Sequence, residues 1–329
     1  MGEATAIILA AGKGTRMRSP LPKVLHTVCG FTLLECVVNA VREAGISQIV
    51  VVVGDKGDIV RESLQGLSVT ITEQREQLGT AHAVMCARPV LAGGSDTVVV
   101  LNGDTPLIKP QTVRDLIAAN TGSNADVTML SAHLERPKGY GRVSRDAQGR
   151  IKGIVEESEA SAEEVKINEI NVGMYGFKGA SLLAGLDAIV PHNKKGEYYL
   201  TDIISIFYRS GKRVEGIVVT DTSEVLGINT QRELAAVNQI RRNEILRSLM
   251  DRGVIIADTT SAFIENCVQI GEGTKIYPFT YIGKNVVIGR RCRIGPFAYV
   301  QPGARIGDGA EVRNMAEFEK AGGFSQDYG

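Results

Sequence analysis

The 329-residue chain contains no tryptophan, few aromatic residues and no excess of either charge. Its 37 lysine and arginine residues balance 37 aspartate and glutamate residues, and no long basic stripe is present. This balance argues against a nucleic-acid partner, because proteins that bind nucleic acid concentrate positive charge. No apolar run approaches the roughly 18 to 20 residues that a membrane-spanning helix needs. The sequence therefore predicts a globular protein that binds neither nucleic acid nor a membrane.

Cysteine is scarce as well, and the five cysteines form no CxxC pair and no metal-ligand spacing: Cys29, Cys36, Cys86, Cys267 and Cys292. An odd, scattered set is typical of reduced thiols, most of them small core residues. No basic segment precedes the apolar N-terminal run, as it would in a signal peptide. We expect a cytoplasmic protein.

The most informative segment follows the apolar run Ala4–Leu9, which is typical of a buried strand. Gly12 and Gly14 come next, in a position where backbone N–H groups can approach an anion closely. Arg16 and Lys23 add fixed positive charge beside this turn. The combination predicts a loop that holds the triphosphate of a nucleotide.

Two known phosphate-binding motifs do not fit this segment. The dinucleotide fingerprint needs a glycine or alanine where Met17 stands, and the P-loop needs a longer spacing between its glycines. A plain turn with solvated basic residues remains an alternative for Lys13 and Arg18. It explains the whole segment poorly.

Up to residue 228, Val- and Ile-rich runs alternate with amphipathic stretches. The predicted strands are Ala4–Ala10, Gln48–Val53, Val69–Thr72, Thr97–Leu101 and Asp126–Ala132. The predicted helices are Leu33–Ala44, Ile59–Leu64, Thr80–Leu91 and Thr112–Asn120. Such alternation predicts an α/β domain whose mostly parallel sheet has helices on both faces. Because ligands bind beyond the carboxyl ends of such strands, the glycine turn and the Asn102–Asp104 turn can share one cleft.

From Ile264 onward the apolar period changes to six. Aliphatic residues occupy positions 264, 270, 276, 282, 288, 294, 300, 306 and 312. Residues of small or medium size lie two positions before most of them, as Ala298 does before Val300. This hexapeptide repeat predicts a left-handed parallel β-helix of about three coils, with the aliphatic side chains inside.

A long helical pattern, Gln231–Met250, precedes the repeat and predicts a linking helix. The predicted domains are a nucleotide-binding domain at 1–228, a linker helix at 229–252 and a short β-helix at 253–329.

The segment Leu9-Ala-Ala-Gly-Lys-Gly-Thr-Arg-Met17, with Leu21-Pro-Lys-Val-Leu-His26, resembles the signature of the sugar-1-phosphate nucleotidyltransferases. Within that family it is most similar to the bacterial branch that uridylylates N-acetylglucosamine 1-phosphate, and the resemblance runs from about Ala4 to about Lys320. It implies a Rossmann-like nucleotidyltransferase domain followed by a short, truncated left-handed β-helix. The implied substrates are UTP and the sugar 1-phosphate, with Mg²⁺ as cofactor. The implied product, UDP-N-acetylglucosamine, feeds peptidoglycan and lipopolysaccharide precursors, and the β-helix implies a homotrimer.

The resemblance also implies roles for residues at matching positions. Arg16 and Lys23 would be catalytic, while Asp104 and Asn229 would hold Mg²⁺. The implied substrate-binding residues are Leu9, Ala10, Gly12, Gly14, Gln74, Gly79, Thr80, Gly141, Glu156, Asn171, Tyr199, Thr201 and Asn229.

Structural alternatives exist for three of these residues. Asp104 could cap the next helix, since Pro106 follows it, and Thr80 could mark a helix start with Gly79. Glu156 adjoins other glutamates and could be a solvated charge.

The proposed chemistry needs no histidine, because a sugar phosphate is already ionised and requires no general base. The four histidines, His26, His82, His133 and His192, are expected to be structural and all precede the repeat. A β-helix without a histidine lacks the usual base for acetyl transfer. We therefore expect no acetyltransferase activity. The alternatives are uridylyl transfer to another sugar phosphate such as glucose 1-phosphate, a hexapeptide acyltransferase, and a nucleotide-binding protein without turnover.

Overall fold

The computed structural model describes residues 4–193 and 196–313. The chain after Arg313, which includes the end of the predicted β-helix domain, lies outside the described residues. The chain divides into two compact units. One runs to His26 and resumes from Leu33 to Thr230, while the other combines Thr27–Thr32 with the chain from Gln231 onward.

The first unit contains a nine-stranded sheet with helices on both faces. Its strands are β1 (Ala4–Ala10), β4 (Gln48–Val53), β5 (Thr70–Glu73), β6 (Thr97–Asn102), β7 (Val127–His133), β8 (Arg142–Arg145), β9 (Ile151–Val155), β10 (Glu169–Lys178) and β11 (Val214–Val218). Its helices are α1 (Leu33–Glu43), α2 (Gly57–Ser63), α3 (Thr80–Cys86), α4 (Arg88–Leu91), α5 (Pro110–Ser123), α6 (Gly179–Ala188) and α7 (Asp202–Arg209). The labels β2 (Thr27–Val28) and β3 (Phe31–Thr32) belong to a short antiparallel pair in the second unit.

The five predicted strands lie where the sequence indicates, within about one residue at their ends. The main order is β11-β7-β10-β6-β1-β4-β5, and β8 with β9 extends from β10. The pairs β1–β4, β1–β6, β4–β5 and β11–β7 are parallel. Strand β10 runs antiparallel to both of its main neighbours, so the sheet is mixed although mostly parallel.

Strand β1 shows why the apolar runs form buried strands. Ile7 and Ile8 are both fully buried, and each belongs to a different core cluster. Successive side chains of a strand point to opposite faces, so a strand covered on both sides needs apolar residues at every position. Helices α1 and α5 cover one face, and α3, α6 and α7 cover the other.

The single helix predicted over Thr80–Leu91 is wrong in one respect. Helix α3 ends at Cys86, and α4 starts at Arg88 with Pro89 in its first turn. Proline has no N–H to donate, and its ring collides with the carbonyl four residues earlier. The chain therefore breaks before Pro89 and starts a new helix.

The second unit contains the long helix α8 (Gln231–Asp251) and a parallel β-helix. Ten two-residue strands form three stacks: β12 (Ile255–Ile256), β15 (Lys275–Ile276), β18 (Arg293–Ile294), β21 (Glu311–Val312); β13 (Phe263–Ile264), β16 (Tyr281–Ile282), β19 (Tyr299–Val300); β14 (Gln269–Ile270), β17 (Val287–Ile288), β20 (Arg305–Ile306). Ile264 pairs with Ile282, and Ile282 pairs with Val300, so three hexads make one coil. All nine aliphatic repeat positions are buried, which confirms the inward-facing residues that the period predicts.

The cysteines differ in how far they are buried. Cys29 and Cys292 are buried, whereas Cys267 is exposed. No helix within the described residues combines the length and apolar character needed to cross a membrane.

Candidate active site

The glycine turn begins where β1 ends, at the carboxyl edge of the sheet. Gly14 has a φ of +60° and precedes the short 3-10 helix Thr15–Met17. This backbone conformation is strained for any residue with a Cβ, and a Cβ at Gly14 would lie 2.6 Å from Lys23 Cβ. Gly12 differs, because a Cβ there would meet nothing within 4 Å. Packing explains the glycine at 14, and open space at 12 leaves the backbone accessible to a ligand.

Four predicted residues meet at one polar centre. The ammonium of Lys23 bonds to Asp104 Oδ2, and its Nζ lies 3.1 Å from Asn229 Oδ1. The guanidinium of Arg16 donates to the same Asn229 Oδ1 at 2.9 Å. The Ile228 N–H donates to the Asp104 backbone carbonyl at 3.0 Å, which ties the two segments together beside the centre.

The possibility that Asp104 caps a helix is wrong. Helix α5 begins only at Pro110, with Lys109 at its N-cap position. The Asp104 carboxylate instead pairs with Lys23, and their side chains are only 20% and 13% exposed. A partly buried carboxylate beside an amide oxygen, both directed at one cation, is therefore a site for positive charge.

The donor set of this centre suits a hard divalent cation. Asp104 and Asn229 already direct two oxygens at the Lys23 ammonium. Within the described residues, no group of three or more His, Cys, Asp or Glu side chains could hold a metal ion. Magnesium commonly takes only one or two protein oxygens and completes its shell with water and substrate phosphate. The residues present fit that mode of binding.

Two adjoining cavities of about 320 and 220 Å³ open on either side of this centre. They share the lining residues Leu9, Thr80, Asn102 and Asp104. Among the predicted residues, the larger cavity is also lined by Ala10, Gly12, Lys23, Gln74, Gly79 and Tyr199. The smaller one is also lined by Gly141, Glu156, Asn171, Thr201 and Asn229. Only Gly14 and Arg16, of all the predicted site residues, line neither cavity.

Hydrogen bonds fix the polar groups of the smaller cavity. Asn171 Oδ1 accepts from the Tyr175 hydroxyl and from the Gly173 N–H, each at 3.0 Å. Burial raises the pKa of the Tyr175 phenol, so its hydroxyl stays protonated and can donate. Glu156 accepts from the Thr201 hydroxyl at 3.2 Å, so it is partnered rather than merely solvated.

Strand β10 supplies Asn171 through an irregularity in its pairing. The register with β7 shifts between Asn171 and Tyr175, and Gly173 in this bulge has a φ of +78°. This φ favours glycine, and a Cβ at Gly173 would lie 2.6 Å from Asn102 Nδ2, so a larger residue would also displace the Asn102 amide. Bulges commonly re-aim side chains next to functional sites.

Thr80 lines both cavities, and Gly79 lines the larger one. Helix α3 begins at Thr80, and Gly79 at its N-cap position has a φ of +107°. A Cβ at Gly79 would lie 2.5 Å from the Tyr198 carbonyl oxygen. The Thr80 hydroxyl accepts a hydrogen bond from the Leu200 N–H at 2.9 Å, so it holds the segment that carries Tyr199 and Thr201.

Comparison with known proteins shows the family of the chain. Residues 6–252 match the family described as MobA-like NTP transferase domain. The chain belongs to this family. Residues 267–300 and 285–320 match the six-repeat bacterial transferase hexapeptide family. The first match agrees with the α/β fold of the first unit, and the second agrees with the strand stacks of the second unit.

Three relatives share the name bifunctional protein GlmU. The chain is 48% identical to the bifunctional protein GlmU of Pelotomaculum thermopropionicum, over 84% of this chain and 60% of that protein. It is 44% identical to the GlmU of Clostridium perfringens, over 83% of this chain and 60% of that protein. Over 94% of this chain and 67% of the relative, it is 40% identical to the GlmU of Clostridioides difficile. The chain thus spans about 60% of the length of the first two relatives.

Several lining residues were missing from the sequence-based set. Asn102, Glu197 and Tyr175 line the cavities, and Gln77 Nε2 donates to the Ala11 carbonyl at 2.9 Å. His82, expected to be structural, lies 3.1 Å from the amide of Gln74. Local signals existed for Asn102, which belongs to the turn expected in the cleft, and for Gln77, which lies in the same short segment as Gly79 and Thr80.

Proposed function

We propose that this protein transfers UMP from UTP to N-acetylglucosamine 1-phosphate, forming UDP-N-acetylglucosamine and pyrophosphate. The observation that carries this proposal is the convergence of Lys23, Asp104 and Asn229 at the junction of the two cavities. Family membership and the GlmU relatives support the same reaction class.

The chemistry follows from two substrates held on opposite sides of the centre. A phosphate oxygen of the sugar phosphate attacks the α-phosphorus of UTP, a new P–O bond forms, and the bond to pyrophosphate breaks. The attacking oxygen is already ionised, so alignment and charge stabilisation provide the catalysis. The larger cavity, with Gly12 and Gln74, would take the nucleotide. The smaller, with Glu156 and Asn171, would take the sugar.

The charged residues have separate tasks in this scheme. Lys23 and Arg16 would balance the negative charge that develops on the reacting phosphates. Asp104 and Asn229 would hold Mg²⁺, which supplies a positive charge that orients and neutralises phosphate oxygens when bound. Once it separates from the Asp104 carboxylate, the Lys23 ammonium would be free to bind a phosphate.

The wider proposals rest on the relatives and on the repeat. We place the protein in the cytoplasm, in the supply of cell-wall precursors, as a homotrimer assembled through its β-helix. The expected absence of acetyl transfer stays a prediction.

Pyrophosphate release from UTP, N-acetylglucosamine 1-phosphate and Mg²⁺ tests the reaction. The full chain should release pyrophosphate, and the Asp104→Asn variant should not. Glucose 1-phosphate as a competing acceptor separates the two sugar assignments. If the full chain releases no pyrophosphate with either sugar, the proposed function is wrong.

A further inference from the structure

Gln74 follows strand β5 and its side chain is held in one orientation. The side chain is 4% exposed, and Nε2 donates to the Gly79 carbonyl at 2.9 Å. The same Nε2 lies 3.1 Å from Nδ1 of His82 on helix α3. Nε2 thus lies within hydrogen-bond distance of two groups inside the protein.

The identity of the two partners decides which end of the amide faces them. A backbone carbonyl only accepts hydrogen bonds, so Gly79 requires the NH₂ end of Gln74. His82 Nδ1 can accept only when its ring proton is on Nε2. With that tautomer, both neighbours favour the same orientation of the amide.

The amide oxygen of Gln74 remains available to a ligand. Within the described residues, Oε1 accepts no hydrogen bond, and it is not among the fully buried polar atoms without a partner. Gln74 lines the larger cavity, which also contains the Lys23–Asp104 pair that suits phosphates. A neutral amide in the same cavity is suited to the edge of a nucleobase, and here it offers an acceptor only.

We propose that His82 is a positioning residue that holds Gln74 with its acceptor toward the base, and so selects pyrimidines that carry a hydrogen on N3. This inference rests on the proposed function. Uracil donates from N3 to Oε1, whereas N3 of cytosine is itself an acceptor and would face Oε1 without a hydrogen. A buried polar group left unpaired opposes binding strongly, so the fixed amide discriminates against CTP.

Nucleotide preference in His82 variants tests this role. His82→Phe keeps a planar ring and removes the acceptor, while His82→Asn keeps an acceptor near the position of Nδ1. The ratio of kcat/KM for UTP over CTP should fall at least about tenfold in His82→Phe and should recover largely in His82→Asn. An unchanged ratio in His82→Phe, or equal ratios in the two variants, would overturn the proposal. If His82 had a structural role alone, its loss would lower kcat/KM for UTP and for CTP together.

Two further measurements keep the test independent of folding defects and of turnover. Nitrogen NMR of the wild-type imidazoles should show His82 with its proton on Nε2, and a proton on Nδ1 would overturn the proposal. Calorimetric Kd values for UTP and CTP need no reaction, so they test His82 even if uridylyl transfer fails. Failure of the proposed function would appear as absent pyrophosphate release in the wild type.

Discussion

The backbone of Gly14 lies directly against the side chain of Lys23, because a Cβ on Gly14 would be 2.6 Å from Lys23 Cβ. The tight turn therefore has a role in packing. It makes room for the stem of the lysine whose ammonium reaches Asp104 and Asn229.

The two glycines of the turn should respond differently to alanine. Gly14→Ala adds a Cβ where φ is +60° and space is lacking, so we expect a loss of at least about 1 kcal/mol in the free energy of unfolding. Gly12→Ala meets no protein atom, so its melting temperature should be unchanged or slightly raised.

For UTP affinity we expect Gly12→Ala to have a larger effect than Gly14→Ala, although Gly12→Ala leaves stability unchanged. Gly12→Ala should weaken the Kd for UTP by about tenfold in calorimetry, since its methyl group occupies space beside the proposed phosphate path. Normal UTP affinity in Gly12→Ala would show that the open space at residue 12 is not used by the nucleotide.

Lys23 should be far more important than Lys13 for turnover. We expect Lys23→Met to lower kcat at least about 100-fold, because it removes fixed positive charge from the junction of the cavities. Lys13 is exposed and lines neither cavity, so Lys13→Met should change kcat less than about threefold. Pyrophosphate release measures both. Similar losses in the two variants would contradict the role assigned to Lys23.

Asp221 should contribute stability that disappears in acid. Its hydrogen bond from Lys109, at 2.6 Å, together with bonds from Ser223, lowers its pKa to about 2. The unfolded carboxyl has a pKa near about 3.9. A depressed folded pKa stabilises the protein above about pH 4, and the gain is lost as the pH falls toward about 2.

Asp221→Asn tests this pH window. The Asp221 side chain is 44% exposed, so solvent screening limits the effect to about 1 kcal/mol at pH 7. Urea unfolding should show that difference at pH 7, with a smaller one at pH 3. Glu163→Gln, at an exposed ion pair with Lys166, should have almost no effect at either pH. A difference that grows in acid would have the wrong sign for this mechanism.

The interior of the β-helix should be sensitive to lost volume. Ile282 is fully buried between Ile264 and Val300, so Ile282→Ala should cost about 3 kcal/mol in the second unit. Arg305→Ala, at an exposed position of the same coils, should cost less than about 0.5 kcal/mol. Calorimetric melting distinguishes them. Equal melting temperatures would show that the hexad interior tolerates a cavity.

Thiol labelling should separate the exposed from the buried cysteines. Burial, the main cause, raises the pKa of the Cys29 thiol to about 12, so almost no thiolate forms near pH 8. Iodoacetamide should modify the exposed Cys267 first and leave Cys29 unmodified in the folded protein. Mass spectrometry of peptides after labelling measures this, and early modification of Cys29 would show that its pocket opens.

Much of the architecture could be predicted from local patterns. The hexad period placed nine aliphatic side chains correctly, because one repeat unit corresponds to one side of the coil. The strand before Gly12 was equally readable, since a strand buried on both faces must be apolar throughout. Strands β8–β11 were not predicted, because their pairing depends on distant partners.

The candidate site divides in the same way. The sequence alone determined the glycine turn with its cations and the inward face of the repeat, because each depends on residues that lie close together along the chain. Only the tertiary structure decided that Asn229 accepts from both Arg16 and Lys23, and that His82 lies beside the amide of Gln74. Those contacts depend on the directions of side chains from separate segments, and packing fixes those directions.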